Sequence, residues 1–292
     1  MSLAVGAWER RGAYRTLCGW TTFTLDVPPA GAERGAPLIV LHGFPTCSFD
    51  FHLVVDELAR TRRVLLLDMI GYGLSDKPDM AYTIDLQADV VQAFVDEVGV
   101  SGVSLLTHDL GDTIGGELLA RQAEGRWDVE ITERVVTNGS IYIEMAHLSD
   151  GQNFLLALPD ERLPESTDLG APTIRAGLSA TFSPHSTVDD AELSAAAELV
   201  THNGGHLVLP RTIRYIEERR RNQERYTGAI ESHPSPLSVI WGSDDPIAVS
   251  AIAERLCARR PDARLTWLHG VGHYPMLEAP DAFLRAVSSS LG

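Results

Sequence analysis

An aspartate stands where a short turn joins an apolar run to a helical pattern, in Leu105-Leu106-Thr107-His108-Asp109-Leu110-Gly111-Asp112. The residues two before and two after it, Thr107 and Gly111, are small. A strand that enters a helix through so tight a turn needs small residues there, and it pushes the apex side chain out above the strand ends. The spacing is small-x-nucleophile-x-small, with a carboxylate where a hydroxyl more often stands. Asp109 equally suits a plain helix N-cap, and residue type alone does not separate the two. As a nucleophile, a carboxylate can attack a saturated carbon and form an alkyl–enzyme ester, whereas a serine needs an acyl carbon.

Three further clusters follow apolar runs. His42-Gly43-Phe44-Pro45-Thr46 places a sharp loop after the first of them. In a nucleophile-elbow architecture such a loop supplies one backbone N–H of an oxyanion hole, and the residue after the nucleophile supplies the other. The donors are then Phe44 and Leu110. Trp241-Gly242-Ser243-Asp244-Asp245-Pro246 offers an acid that can orient a histidine, and Asp245 is favoured over Asp244 by its G-x-x-D-P setting. Gly270-Val271-Gly272-His273-Tyr274-Pro275 puts a histidine in a glycine-rich loop. With ten histidines in the chain most must be bystanders, and His42, His108 and His269 are the nearest decoys. The order is the informative feature: nucleophile, acid, then base, each just past the carboxyl end of a strand, is the α/β-hydrolase order.

These loops need a frame to hold them. Pro37 to His42, Val64 to Asp68, Val103 to His108, Val135 to Asn138, Leu237 to Trp241 and Arg264 to Leu268 are short apolar runs, read as buried strands. Helical patterns lie between them at Ser48 to Ala59, Ile84 to Val98, Gly111 to Arg121 and Ala248 to Arg260, with a closing helix from Ala282 to Leu291. Such alternation predicts a mostly parallel central sheet covered by helices on both faces. Thr21 to Val27 alternates and reads as an antiparallel edge strand. From 141 to 233 the rhythm breaks into helical stretches, among them Asp189 to Val200 and Arg211 to Arg225. We therefore expect a core domain of residues 1–140 and 234–292, with a helical cap, 141–233, inserted after the sixth strand. The charge run Glu217 to Arg225 reads as a solvated helix face.

The 292 residues are 44% hydrophobic and 22% charged, a normal balance for a folded chain with a sizeable core. A formal net charge of −16 disfavours nucleic acid and anionic membrane surfaces as partners. The three cysteines, Cys18, Cys47 and Cys257, form neither a disulfide framework nor a metal pattern, and Cys47 reads as a small buried filler. Reduced thiols and the lack of a signal-like or spanning segment point to a cytoplasmic protein.

The run Asp68-Met69-Ile70-Gly71-Tyr72-Gly73-Leu74-Ser75-Asp76-Lys77-Pro78, with His-Gly-Phe-Pro-Thr and His-Asp-x-Gly-Asp, resembles the epoxide hydrolase and haloalkane dehalogenase branch of the α/β-hydrolase superfamily. Within it the chain is similar to the mesoderm-specific transcript protein group, through Thr137-Asn138-Gly139, the stretch from Asn203-Gly204 to Tyr226-x-Gly228-Ala229, and His273-Tyr274-Pro275. The resemblance spans about residues 36 to 290. It implies an α/β-hydrolase fold, Asp109 as nucleophile, His273 as base and Asp245 as its partner. It also implies a cap tyrosine that protonates an epoxide oxygen, with Tyr215 and Tyr226 as candidates.

The expected activity is hydrolysis through an alkyl–enzyme ester, epoxide hydrolase-like, on a small apolar organic substrate with water as the second reactant. A haloalkane dehalogenase is the first alternative, although Leu110 and Phe44 depart from the tryptophan and the Asn or Glu usual there. A partner-binding scaffold without catalysis is the second. No metal or organic cofactor is implied, and the chain is expected to be a monomer or a homodimer.

Overall fold

Leu38–Leu41 (β3), Val64–Leu67 (β4), Gly102–His108 (β5), Glu130–Thr137 (β6), Leu237–Gly242 (β7) and Arg264–Leu268 (β8) form six parallel strands of one sheet. β3, β4 and β7 are buried along their whole length in the computed structural model, which covers residues 1–292. Strands covered on both faces need no polar alternation, which is why they read as continuous apolar runs.

Two strands precede these. Ala13–Leu17 (β1) and Trp20–Val27 (β2) form a hairpin whose turn, Cys18-Gly19, has φ of 50° and 85°. Positive φ at both turn residues matches the twist of the flanking strands. β2 pairs antiparallel with β4, and the sheet order is β1-β2-β4-β3-β5-β6-β7-β8. Thr21 to Val27 is thus antiparallel as expected, but it is not the edge. β1 takes that place, because the charged N-terminal segment folds as a helix, Leu3–Glu9 (α1), and a strand.

Between the parallel strands run Val55–Leu58 (α2), Ile84–Val98 (α3) and Leu110–Ala123 (α4). Thr83 caps α3 by accepting from the Leu86 amide, and Gly99, at φ 74°, ends it. The helix read from Ser48 to Ala59 is instead a 3₁₀ turn, Ser48–Phe51, followed by the short α2.

Every regular element between β6 and β7 is helical. After a 3₁₀ turn at Ile143–Met145 come Asp150–Ala157 (α5), Ala171–Ser179 (α6), Asp190–Thr201 (α7), Leu209–Thr212 (α8), Tyr215–Arg221 (α9) and Gln223–Ser232 (α10). The pattern at Arg211 to Arg225 is therefore three helices rather than one. Nor is that charge run wholly solvated: Arg219 is buried, and Arg225 reaches Glu117 of α4 and Glu124 just past its end. Ser250–Arg259 (α11), Pro275–Glu278 (α12) and Pro280–Ser290 (α13) complete the chain. No helix is long and apolar enough to cross a membrane.

The strand order changes direction at β3, which lies between β4 and β5. Ligands of open α/β sheets bind at the carboxyl ends of strands where the order reverses. The loop after β3 holds Phe44, and the turn after β5 holds Asp109.

α10 sits directly on α4. A Cβ added at Gly116 would lie 2.6 Å from the Tyr226 carbonyl oxygen, a main-chain contact that cannot yield without moving a helix. We predict that Gly116→Ala lowers the urea midpoint by an amount equivalent to about 1–3 kcal/mol. A midpoint equal to that of the parent protein would show that α10 does not seat this closely.

Candidate active site

The turn at Asp109 is forced. β5 ends at His108 and α4 begins at Leu110, so one residue must reverse the chain, and Asp109 does so at φ 48°, ψ −107°. α4 then lies so close to β3 that a Cβ at Gly111 would stand 2.4 Å from the Leu41 carbonyl oxygen. Glycine is the residue this contact admits. Thr107 is anchored on the other side, its hydroxyl donating to the Asp112 carboxylate.

Asp109 is not a capping residue. Its side chain makes no cap hydrogen bond to α4. Instead its Oδ2 accepts from the Phe44 amide at 2.9 Å. Gly43 lets the loop come this near, since a Cβ there would meet the Asp109 Cβ at 2.8 Å. Leu110, the other expected amide donor, begins the buried face of α4.

His273 and Asp245 meet, although they leave different strands. Nδ1 of His273 donates to Asp245 Oδ2 at 2.8 Å, and both side chains are buried. Asp245 is fixed from several directions. Its Oδ1 accepts from the amides of Ile247 (2.7 Å) and Ala248 (2.9 Å), and its Oδ2 accepts from Asn138 Nδ2 at 2.7 Å. Asp244 instead accepts from the Ser243 hydroxyl at 2.8 Å.

Asn138 had no assigned role. It follows β6 at φ 50°, is fully buried, donates to Asp245, and accepts from the Gly242 amide at 3.0 Å. The sequence signal was an asparagine directly after a buried strand, where a left-handed residue with a short amide can bridge neighbouring strand ends.

The decoy histidines serve the loops. His42 accepts from the Met69 amide at 3.0 Å through Nε2, so its Nδ1–H donates to the Gly43 carbonyl at 2.8 Å. His108 Nε2–H donates to the His273 carbonyl at 2.8 Å and steadies that loop. Burial and the nearby His273 push His108 down to about 4, so it stays neutral. His269 is exposed.

His273 is different. Burial opposes its charge, but the Asp245 carboxylate, the hydrogen bond to it, and Asp109 together raise it to about 9. Two further acids lie buried close by. Burial raises Asp50 to about 8, against the Thr46 hydroxyl bond at 2.6 Å, and it raises Asp112 well above the carboxylate range. Asp50 is thereby held mostly protonated at pH 7.

A cavity of about 460 Å³ opens over the site. Phe44, His273 and Tyr274 reach it from the core, and side chains of α5 and α6 with Leu209 come from the helical insertion. Tyr215 is buried with its ring 5.7 Å from that of Phe44 and the Arg219 guanidinium 5.0 Å from its own centroid. Tyr226 is not brought to the site: its hydroxyl donates to Glu218 at 2.9 Å, and its backbone packs on α4. Two tyrosines that sequence reading passed over are nearer. Tyr274 lines the cavity, and the Tyr72 ring lies 6.4 Å from that of Phe44. No group of three or more His, Cys, Asp or Glu side chains is arranged to hold a metal ion.

Residues 38–286 match the alpha/beta hydrolase family. A putative hydrolase, LipZ, of Mycobacterium tuberculosis is 36% identical over 255 residues, covering 87% of this chain and 88% of the relative. The mesoderm-specific transcript protein of Mus musculus is 32% identical over 296 residues, covering 98% and 87%. A haloalkane dehalogenase of Agrobacterium fabrum is 34% identical over 120 residues, covering 39% and 40%.

The His273 shift carries a stability consequence. Its folded value lies above the 6.5 of an ordinary histidine, so the stabilisation is complete below pH 6.5 and is lost as pH rises to about 9. That loss amounts to up to about 3 kcal/mol. Urea midpoints measured at pH 6.5 and pH 9.5 should therefore fall less in Asp245→Asn than in the parent. Equal falls in both proteins would mean that Asp245 does not hold the proton on His273.

Proposed function

The chain belongs to the alpha/beta hydrolase family, and on that premise we propose a hydrolase whose nucleophile is the Asp109 carboxylate, with an epoxide-hydrolase-like reaction. Residues 1–140 and 234–292 form the catalytic core in this reading, and 141–233 form the cap. The observation that carries it is the carboxylate at the apex of the strained turn, held through Oδ2 by the Phe44 amide at 2.9 Å. One oxygen is tethered, which leaves Oδ1 to attack.

In the first step Oδ1 bonds to a ring carbon, the carbon–oxygen bond of the epoxide breaks, and Tyr215 gives its proton to the departing alkoxide. Burial keeps that phenol protonated. In the second step water adds to the ester carbon of Asp109 while His273 takes its proton. The former Oδ2 becomes an oxyanion between the amides of Phe44 and Leu110. The tetrahedral centre collapses by breaking the Cγ–Oδ1 bond: Oδ1 leaves with the substrate as its second alcohol and takes the proton from His273, the water oxygen stays in the regenerated Asp109 carboxylate, and the remaining proton returns to the tyrosinate. The sum is epoxide plus water to diol.

Charge coordinates the two steps. While Asp109 is ionised, it helps hold a proton on His273. Alkylation removes that negative charge, so the histidine loses part of what raised it and becomes a better base when a base is required. Asp245 keeps the imidazole oriented throughout.

A haloalkane substrate is the second reading, favoured by the dehalogenase relative. The first step is then displacement of halide, with no proton donor needed. Against it stand Leu110 and Phe44, which offer a leaving halide apolar side chains, and a cavity lining without tryptophan.

His273→Gln protein incubated with a panel of small epoxides and haloalkanes should retain the substrate mass on the Asp109 peptide, read by mass spectrometry. Asp109→Ala should abolish turnover. A turnover-competent Asp109→Ala protein would rule out the aspartate nucleophile. An adduct from haloalkanes alone, with halide release, would select the second reading.

A further inference from the structure

The cavity above the site has a distinct chemical lining. Phe44, Leu155, Ile174, Leu178, Leu209 and Ile247 give it apolar walls. No lysine or arginine lines it, and the single basic group is His273 at its floor. The charge of His273 is already faced by Asp245 and Asp109. The acidic residues along the wall are Asp150 and Asp168. Both are exposed, and neither enters an ion pair.

Their position follows from helix geometry. Asp150 opens α5, and Phe154, four residues on, shares its face. Phe154 is 55% exposed yet lines the cavity, so it marks the mouth, and Asp150 stands beside it. Asp168 lies in the loop before α6 and is likewise at the solvent side. A chain that reaches the site past Phe44 and His273 runs along apolar walls and passes two carboxylates that make no ion pair.

We infer that this cavity selects uncharged apolar chains and turns away those that carry an anionic end, such as fatty-acid-type molecules. Two effects act together. A carboxylate entering the apolar walls loses hydration and finds no cation in return. One left at the mouth is repelled by Asp150 and Asp168, an effect that salt screens. The inference rests on the cavity being the substrate site, but not on the substrate being an epoxide.

Binding rather than turnover is the measurement, which keeps the two ideas separable. The neutral fluorophore N-phenyl-1-naphthylamine is bound to the whole protein and displaced by decan-1-ol or by decanoate, at low salt. We expect decan-1-ol to displace it at a roughly tenfold lower concentration. We expect Asp150→Asn/Asp168→Asn, or added salt, to narrow that ratio by several-fold. Decanoate displacing the probe as well as decan-1-ol would overturn the inference. So would a ratio unchanged in the double variant and in salt, which would leave the two aspartates without a role. Failure of the probe to bind would remove the apolar cavity itself. If the probe behaves as expected while no epoxide alkylates Asp109, the charge selection stands and the proposed reaction falls.

Discussion

The close approach of α4 to β3 is the constraint from which the site follows. With the Leu41 carbonyl oxygen pressed on Gly111, the helix has nowhere else to start. The reversal falls on one residue, and Asp109 takes a backbone conformation, φ 48° with ψ −107°, that non-glycine residues avoid. Such strain persists only where packing over-determines it. Here the packing is extensive: the helix is buried from Leu110 to Arg121, held between the sheet and α10. The same approach brings the Phe44 amide to Asp109, because the loop after β3 must clear the helix that β5 feeds.

Electrostatics then sorts a crowded group of acids. Asp50, Asp109 and Asp112 are all buried within a short stretch of the sheet's carboxyl edge. Burial raises the pKa of Asp50 and Asp112. Asp245 differs in its partners: two amides, an asparagine and a histidine surround it. Arg219 adds a buried positive charge from α9. It donates to the Thr113 hydroxyl at 2.6 Å, to the Ser140 carbonyl at 2.9 Å and toward the Asp109 carbonyl at 3.4 Å, so the helical insertion touches the main chain of the turn itself.

Much of this was legible in the chain. The buried strands announced themselves because a strand covered on both faces must be apolar throughout. α3 was readable to the residue, since Thr83 and Gly99 carry start and stop chemistry that acts within four positions. Thr107, Asp109 and Gly111 marked the turn for the same local reason. The hairpin partner β1 was not legible. Its residues, Ala-Tyr-Arg-Thr-Leu, alternate too weakly on an exposed edge to separate strand from loop. Nor were the breaks that split Arg211 to Arg225, since its charged run from Glu217 to Arg225 carries no glycine or proline to mark them.

The sequence by itself determined the order of the candidate residues, with an aspartate at a strand-to-helix turn, then an acid and then a histidine after later strands. Those features depend on periodicity and turn residues, which are short-range. Tertiary structure decided which atoms meet. It brought the favoured Asp245 onto His273, made Asn138 the brace of that acid, kept Tyr215 near Phe44 and turned the Tyr226 hydroxyl to Glu218. It also buried Arg219 out of a run that reads as solvated. Each of these depends on the packing of segments far apart in the chain, and a local pattern carries no information about which distant backbone will close over it.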